Sequence, residues 1–402
     1  MKDNESYEQL IDWLFQQFPA FQKIGGKAYK PTLENTLSLI RYFKIDIDQL
    51  KFIHVAGTNG KGTTCSILAS VLKEAEYKTG LFTSPHIHDF RERIRVNGEM
   101  ISKSEVSEFI NEVKKVEWDI RPSFFEVTWV LALKHFSSLN CDIIVVETGL
   151  GGRLDATNVI TPLISIITNI GLEHTNILGD TRAKIATEKA GIIKENIPVL
   201  IGEEDDETAP VFREKASEMN AEIQFIHSDD HTAVFDKNMR LAFSALNLLN
   251  TLGWNIAPSH LQNGLVNLHL NTGLFGRLQV VKENPQIIVD AAHNKEGILS
   301  LINYINEVYH DKNISVIYGA SNDKNLDEIL KLFPRSWKYF FTQFRNERSY
   351  SKVALMKAVE NTSLKASFYS NPKKALSEAQ KTINKQDIII AFGSFFLLEE
   401  II

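Results

Sequence analysis

The segment FIHVAGTNGKGTTCSILASVL holds the densest chemistry in the chain: an apolar run, a turn with three glycines, then apolar residues at helical spacing. A strand feeding a helix through such a turn points backbone N–H groups and the helix N-terminus at one spot, which favours an anion. Gly57, Gly60 and Gly62 let the main chain approach a phosphate, Lys61 can reach terminal phosphates, and Thr63 or Thr64 can offer a hydroxyl to Mg2+. The usual spacing G-x-x-x-x-G-K-[ST] is not met, because the loop is shorter and Gly62 separates Lys61 from Thr63. The plainer alternative is a tight turn with one exposed lysine. Three glycines, a lysine and two threonines between a strand and a helix weigh against it.

Other candidate groups are weaker when taken singly. The apolar run Asp142–Glu147 ends in a carboxylate followed by glycines, a common way to set an acid beside a nucleotide's Mg2+. Alone, Glu147 is equally a strand-end acid facing solvent. His174 follows the run Leu163–Thr168 across a short loop; a lone histidine is more often structural than a ligand, and Mg2+ prefers oxygen to imidazole. Lys189, in EKAGIIK, reads by itself as a solvated helix lysine.

These residues need a scaffold, and the pattern supplies one. Short β-rich runs alternate with helical patterns, the signature of parallel α/β sheets. Strands are expected at Phe52–Ala56, Asp142–Glu147, Leu163–Thr168, Pro198–Ile201, Ile287–Asp290, Ile314–Tyr318, Tyr339–Thr342 and Asp387–Ala391. Helices are expected at Tyr7–Phe18, Thr32–Tyr42, Thr63–Ala75, Lys103–Val116, Phe125–Phe136 and Arg182–Gly191. A chain of 402 residues suits two cores. A second βα series starts after NTGLFGRLQ, so the expected domains are 1–275 and 276–402. The net charge of -6 argues against nucleic acid or an anionic membrane as partner. The polar, acidic N-terminus lacks the features of a secretory signal, no run is long enough to span a membrane, and the two cysteines fit a reducing compartment. The default expectation is a cytoplasmic enzyme, monomeric for want of any contrary sign.

GTNGKGTT resembles the nucleotide loop of the Mur ligase superfamily, in particular of its dihydrofolate synthase and folylpolyglutamate synthase branch. The match continues through TSPHI, FRERIRVNG, ETGLGGRLDATN, LEHTNILG, EKAGIIK, GR, DAAHN, NDK and GSFF. The resemblance implies an α/β protein of two domains, an N-terminal P-loop ATPase-like, mostly parallel sheet flanked by helices and a smaller C-terminal Rossmann-like domain. It implies ATP contacts at Thr58, Asn59, Gly60, Lys61, Gly62, Thr63, Asn238, Arg277, Asp290 and His293. Magnesium, two ions by the family's pattern, falls to Ser84, Glu147 and His174, and Lys189 is expected to be carbamylated. Lys61, Lys189 and His174 are the expected catalytic residues. Asp155, with Phe124 or Phe125, would face the pterin ring; the alternatives are a turn acid and a core-packing Phe pair.

The implied chemistry is an ATP-dependent ligation. The γ-phosphoryl group moves to the acceptor carboxylate of dihydropteroate or a folate, and the amine of L-glutamate attacks the acyl phosphate. A sister ligase with another acceptor and a non-catalytic nucleotide-binding protein are the rival readings. Two departures bear on the acceptor: IGGKAYKPTLENT differs from the familiar form, and the stretch of residues 227–237 is short, with Phe235 in place of the usual glutamine.

Overall fold

Unbroken apolar runs become the innermost strands. In a computed structural model, which describes residues 5–19, 32–116, 119–227, 234–360 and 362–401, the strands β1 (Phe52–Ala56) and β5 (Ile143–Glu147) are buried along their whole length. A strand covered on both faces has no reason to alternate polar with apolar residues. The chain parts into two units, Met1–Leu274 and Phe275–Ile402.

Among the described residues the first unit holds eight strands: besides β1 and β5, these are β2 (Thr79–Phe82), β3 (Ile94–Val96), β4 (Glu99–Met100), β6 (Ile164–Ile167), β7 (Val199–Ile201) and β8 (Ile223–Phe225), in the order β4-β3-β2-β5-β1-β6-β7-β8. Only β3 and β4 run antiparallel to their neighbours. β1 pairs in parallel with both β5 and β6. The loops leaving these three strands therefore open side by side at the carboxyl edge, where ligands of such sheets bind.

The helix Lys61–Glu74 follows β1 and is buried from Thr63 through Leu72. Sheet residues cover one side of it, and the helices Val234–Thr251 and Pro258–Val266 cover another. Gly264 makes that packing possible: a Cβ there would lie 2.6 Å from Val71 Cγ2, and the Gly264 carbonyl accepts the Ser70 hydroxyl at 2.6 Å. The helix begins two residues before its expected start, because Gly60 takes the left-handed cap conformation at φ 82°.

Among the described residues the second unit holds six strands: β9 (Gln279–Glu283), β10 (Gln286–Val289), β11 (Ile314–Tyr318), β12 (Lys338–Thr342), β13 (Lys365–Tyr369) and β14 (Ile388–Phe392), in the order β13-β12-β11-β14-β10-β9. Here β9 alone is antiparallel. Its core is aromatic on one face, with Tyr318, Phe333, Tyr339, Phe341 and Phe392 in one cluster. The strands β2, β3, β4, β9 and β13 and the helices of this unit were not among the sequence expectations. No helix among the described residues is long and apolar enough to cross a membrane. Both cysteines are free and buried. Most of IGGKAYKPTLENT and residues 228–233 of the shortened stretch lie outside the described residues.

Candidate active site at the phosphate loop

The loop after β1 is shaped by what leans on it. Gly57 sits at φ 148°, and a Cβ there would fall 1.8 Å from Thr168 Oγ1. A Cβ on Gly60 would meet Asn238 Oδ1 at 2.2 Å. Glycine is therefore required twice, once by a hydroxyl from the end of β6 and once by the buried Asn238 side chain. The remaining turn is pinned by residues after β6. Thr58 N–H donates to the Asn169 carbonyl at 3.0 Å, Asn59 N–H to Asn169 Oδ1 at 2.9 Å, and Thr168 Oγ1–H to the Asn59 carbonyl at 2.6 Å. Thr168 and Asn169 were not singled out from the sequence. The available signal was their position, polar residues directly after a buried strand that neighbours β1.

Two lysines converge on this loop. Lys61 Nζ donates to the carbonyls of Gly57 at 3.0 Å and Thr58 at 3.1 Å. Lys189 Nζ donates to the same Gly57 oxygen at 2.6 Å. Lys189, on the helix Arg182–Ala190, is thus a buried residue and not a solvated one. Burial first, and the Lys61 charge second, push its pKa down to about 7, against opposing pulls from Glu173 and Asp155. At neutral pH a large share of this amine is unprotonated, the form that reacts with CO2.

Glu147 ends β5 beside the same helix start: a Cβ on Gly62 would lie 3.5 Å from its Oε2. That oxygen accepts the Ser84 N–H at 2.9 Å, so Ser84 and Glu147 are brought together. Nearby Thr63 and Thr64 are buried in the first turn, and the hydroxyls of Thr64 and Thr148 have no partner among the described residues. Among the described residues no group of three or more His, Cys, Asp or Glu gathers. A carboxylate with hydroxyls beside a phosphate loop fits Mg2+, which takes one or two carboxylates and completes its shell from phosphates and water. His174 caps the short helix Thr175–Leu178 in a left-handed conformation at φ 52°, with Nε2 4.0 Å from Glu173 Oε1.

The pterin-facing expectations are revised. Asp155 is buried, and its carboxylate accepts the N–H groups of Gly149 at 2.9 Å, Leu150 at 2.8 Å and Thr157 at 3.0 Å, with the Thr157 hydroxyl as a fourth donor. A pterin's paired N–H donors would have to displace these bonds, so in this structure Asp155 holds its own loop. Phe124 is buried and stacked on Phe15 at 4.3 Å, the core packing that was the alternative reading. Phe125 is partly exposed, and a Cβ on Gly149 would meet its Cζ at 2.6 Å; it is the phenylalanine that borders the site.

The second unit gathers its own expected residues. Asp290, at the end of β10, is buried and accepts Leu278 N–H and Ala292 N–H, each at 2.8 Å. Burial raises its pKa against the opposing pull of Arg277 and these hydrogen bonds. The Arg277 guanidinium lies 5.3 Å from the Phe395 ring centre, and His293 Nδ1 lies 2.9 Å from the Ala291 carbonyl.

The Mur ligase middle domain model matches residues 55–277, and the Mur ligase glutamate ligase domain model matches residues 276–395. The chain belongs to the Mur ligase family. Among its relatives, the dihydrofolate synthase/folylpolyglutamate synthase of Bacillus subtilis (strain 168) is 32% identical over 92% of this chain and 94% of its own. That of Buchnera aphidicola subsp. Schizaphis graminum is 33% identical over 87% of each. The Escherichia coli FolC structure in complex with DHPP and ADP has a TM-score of 0.84 at 27% identity, covering 97% of this Mur-type chain and 96% of its own. The Yersinia pestis bifunctional enzyme complexed with AMPPNP and Mn ion has a TM-score of 0.83 at 26% identity, with 97% and 96% covered.

Proposed function

We propose that this Mur-type chain is an ATP-dependent ligase that joins L-glutamate to dihydropteroate, to folates, or to both, through an acyl phosphate. The observation that supports it most is the convergence of Lys61 and Lys189 on the Gly57 carbonyl beside Glu147. A protein that only bound nucleotide would have no use for a second buried lysine here.

The steps follow from the groups in place. On ATP binding, Lys61 leaves the carbonyls of Gly57 and Thr58 for the phosphates, whose oxygens also take the N–H groups at the start of the helix Lys61–Glu74. That array is fixed before reaction and stabilises charge on the transferring phosphoryl group. Mg2+ held by Glu147 and a Thr63 or Thr64 hydroxyl would neutralise phosphate charge. The acceptor carboxylate becomes the acyl phosphate, glutamate's neutral amine attacks its carbon, and phosphate leaves. Lys189, carbamylated, would turn from a second ammonium into an oxygen ligand; its lowered pKa and its neighbour Lys61 favour that change. The reading assigns Ser84 and His174 to the metal's surroundings, Asn238 to the nucleotide, and Arg277, Asp290 and His293 to ATP. The chain acts as a monomer in the cytoplasm on this reading, where two buried free thiols would persist.

The test is phosphate release from ATP with Mg2+ and L-glutamate, comparing dihydropteroate, tetrahydrofolate and neither. Release with dihydropteroate and a product heavier by one glutamyl unit is expected. Tight ATP binding with no release for either acceptor would turn the reading to a sister ligase.

A further inference from the structure

The motif FRERIRVNG is so far without a task, and its side chains can be followed one by one. Phe90–Arg93 is a 3-10 turn capped by Asp89. Arg91 pairs with that Asp89 at 2.7 Å. Glu92 accepts the N–H groups of Ile87, His88 and Asp89 at 2.7 to 2.9 Å. Arg91 and Asp89 thus match each other's charge, and Glu92 is held by backbone N–H groups.

Arg93 differs. Its residue is 3% exposed, and among the described residues its one side-chain hydrogen bond is Nε–H to His86 Nδ1 at 2.7 Å. Because Nδ1 accepts this bond, the imidazole offers the guanidinium a neutral partner and no balancing charge. The guanidinium lies 5.4 Å from the Phe124 ring centre, and Phe124 is fixed by stacking on Phe15. Glu147 and Glu92 act on Arg93 only at longer range, without an ion pair among the described residues. An arginine has five N–H donors, so four remain for a planar partner. A buried charge left without an anion is costly, and a guanidinium fork matches a carboxylate.

We propose that Arg93 is the receptor for the acceptor substrate's carboxylate, holding it bidentately next to Glu147 and the phosphate loop. The proposal rests on the ligase reading above and names the residue that presents the group to be phosphorylated. The nucleotide's phosphates are the competing anion, but they already have Lys61 and the loop N–H groups. Arg93 faces the Phe124 ring at the start of the helix Phe124–Ser138, where the partly exposed Phe125 follows.

The deciding measurement uses the unaltered protein with Mg2+ and a non-hydrolysable ATP analogue, titrated with dihydropteroate and with its carboxamide. The carboxylate is expected to bind roughly tenfold to hundredfold more tightly, the range for a hydrogen-bonded charge. Arg93→Lys should narrow that gap and raise the acceptor KM while ATP-analogue affinity stays within about twofold. Equal binding of acid and amide, or a variant that loses nucleotide affinity in step with acceptor affinity, overturns the proposal. If neither dihydropteroate nor tetrahydrofolate binds in any form, the ligase reading itself falls, and the assignment of Arg93 falls with it. Should Arg93→Lys fail to fold, the acid-amide comparison still decides.

Discussion

The Gly57 carbonyl oxygen is the hub of the site, and the two lysine side chains that donate to it set the expectations at the residue scale. Lys61→Ala should abolish ligation while the melting temperature stays within a few degrees, because the side chain is only partly buried and the turn is also held by the bonds of Thr58, Asn59 and Thr168. Normal turnover in that variant would sink the phosphate role. For Lys189 the sign of the pH effect is fixed. Its folded pKa of about 7 is below the ordinary lysine value, so above pH 7 the unfolded chain binds the extra proton. Stability of the unmodified protein should rise as pH climbs from about 7 toward the ordinary lysine range, and Lys189→Met should lose that slope in a pH series of thermal melts. Asp155→Ala should cost about 1 to 3 kcal/mol and hurt both acceptors alike, because it frees the N–H groups of Gly149, Leu150 and Thr157 together. A selective loss with dihydropteroate, at unchanged melting temperature, would restore the pterin role.

Among elements, the turn between β1 and the helix Lys61–Glu74 is the one whose shape is least negotiable. Gly57→Ala places a methyl on the Thr168 hydroxyl and should destabilise by roughly 2 kcal/mol or more, read by denaturant unfolding. The glycines, Lys61 and the strand-turn-helix order were all legible in the sequence because they are local: one apolar run, one turn, one helical period. β1, β5 and β11 were legible for a related reason, since strands buried on both faces read as unbroken apolar stretches. The strands β9, QVVKE, and β13, KASFY, were not, because they are mostly exposed or half-buried edges with weak patterns. The burial of Lys189 was invisible too: it follows from the approach of one helix to the carbonyl of a loop more than a hundred residues earlier, which no local spacing encodes. Asp155 is a different case: the N–H groups it accepts lie within six residues of it, and the turn-acid alternative already allowed for such local bonds.

For the whole molecule, each unit has its own apolar clusters, three in the first and two in the second among the described residues. The stretch 275–402, about the size of an ordinary domain, should therefore unfold cooperatively when expressed alone. A broad, non-cooperative melt would count against its independence. If Lys189 is carbamylated as proposed, the shared carbonyl of Gly57 sets an order of events over the protein's lifetime. The nearness of Lys61 helps to keep Lys189 unprotonated. A nucleotide that draws Lys61 away and brings phosphate charge close would raise the basicity of Lys189 and slow its reaction with CO2. On this reading, maturation must precede first use. A newly made chain that meets ATP before bicarbonate would show a long lag, and one that meets bicarbonate first would start at full speed, so the molecule's history would be written into its opening minutes of turnover.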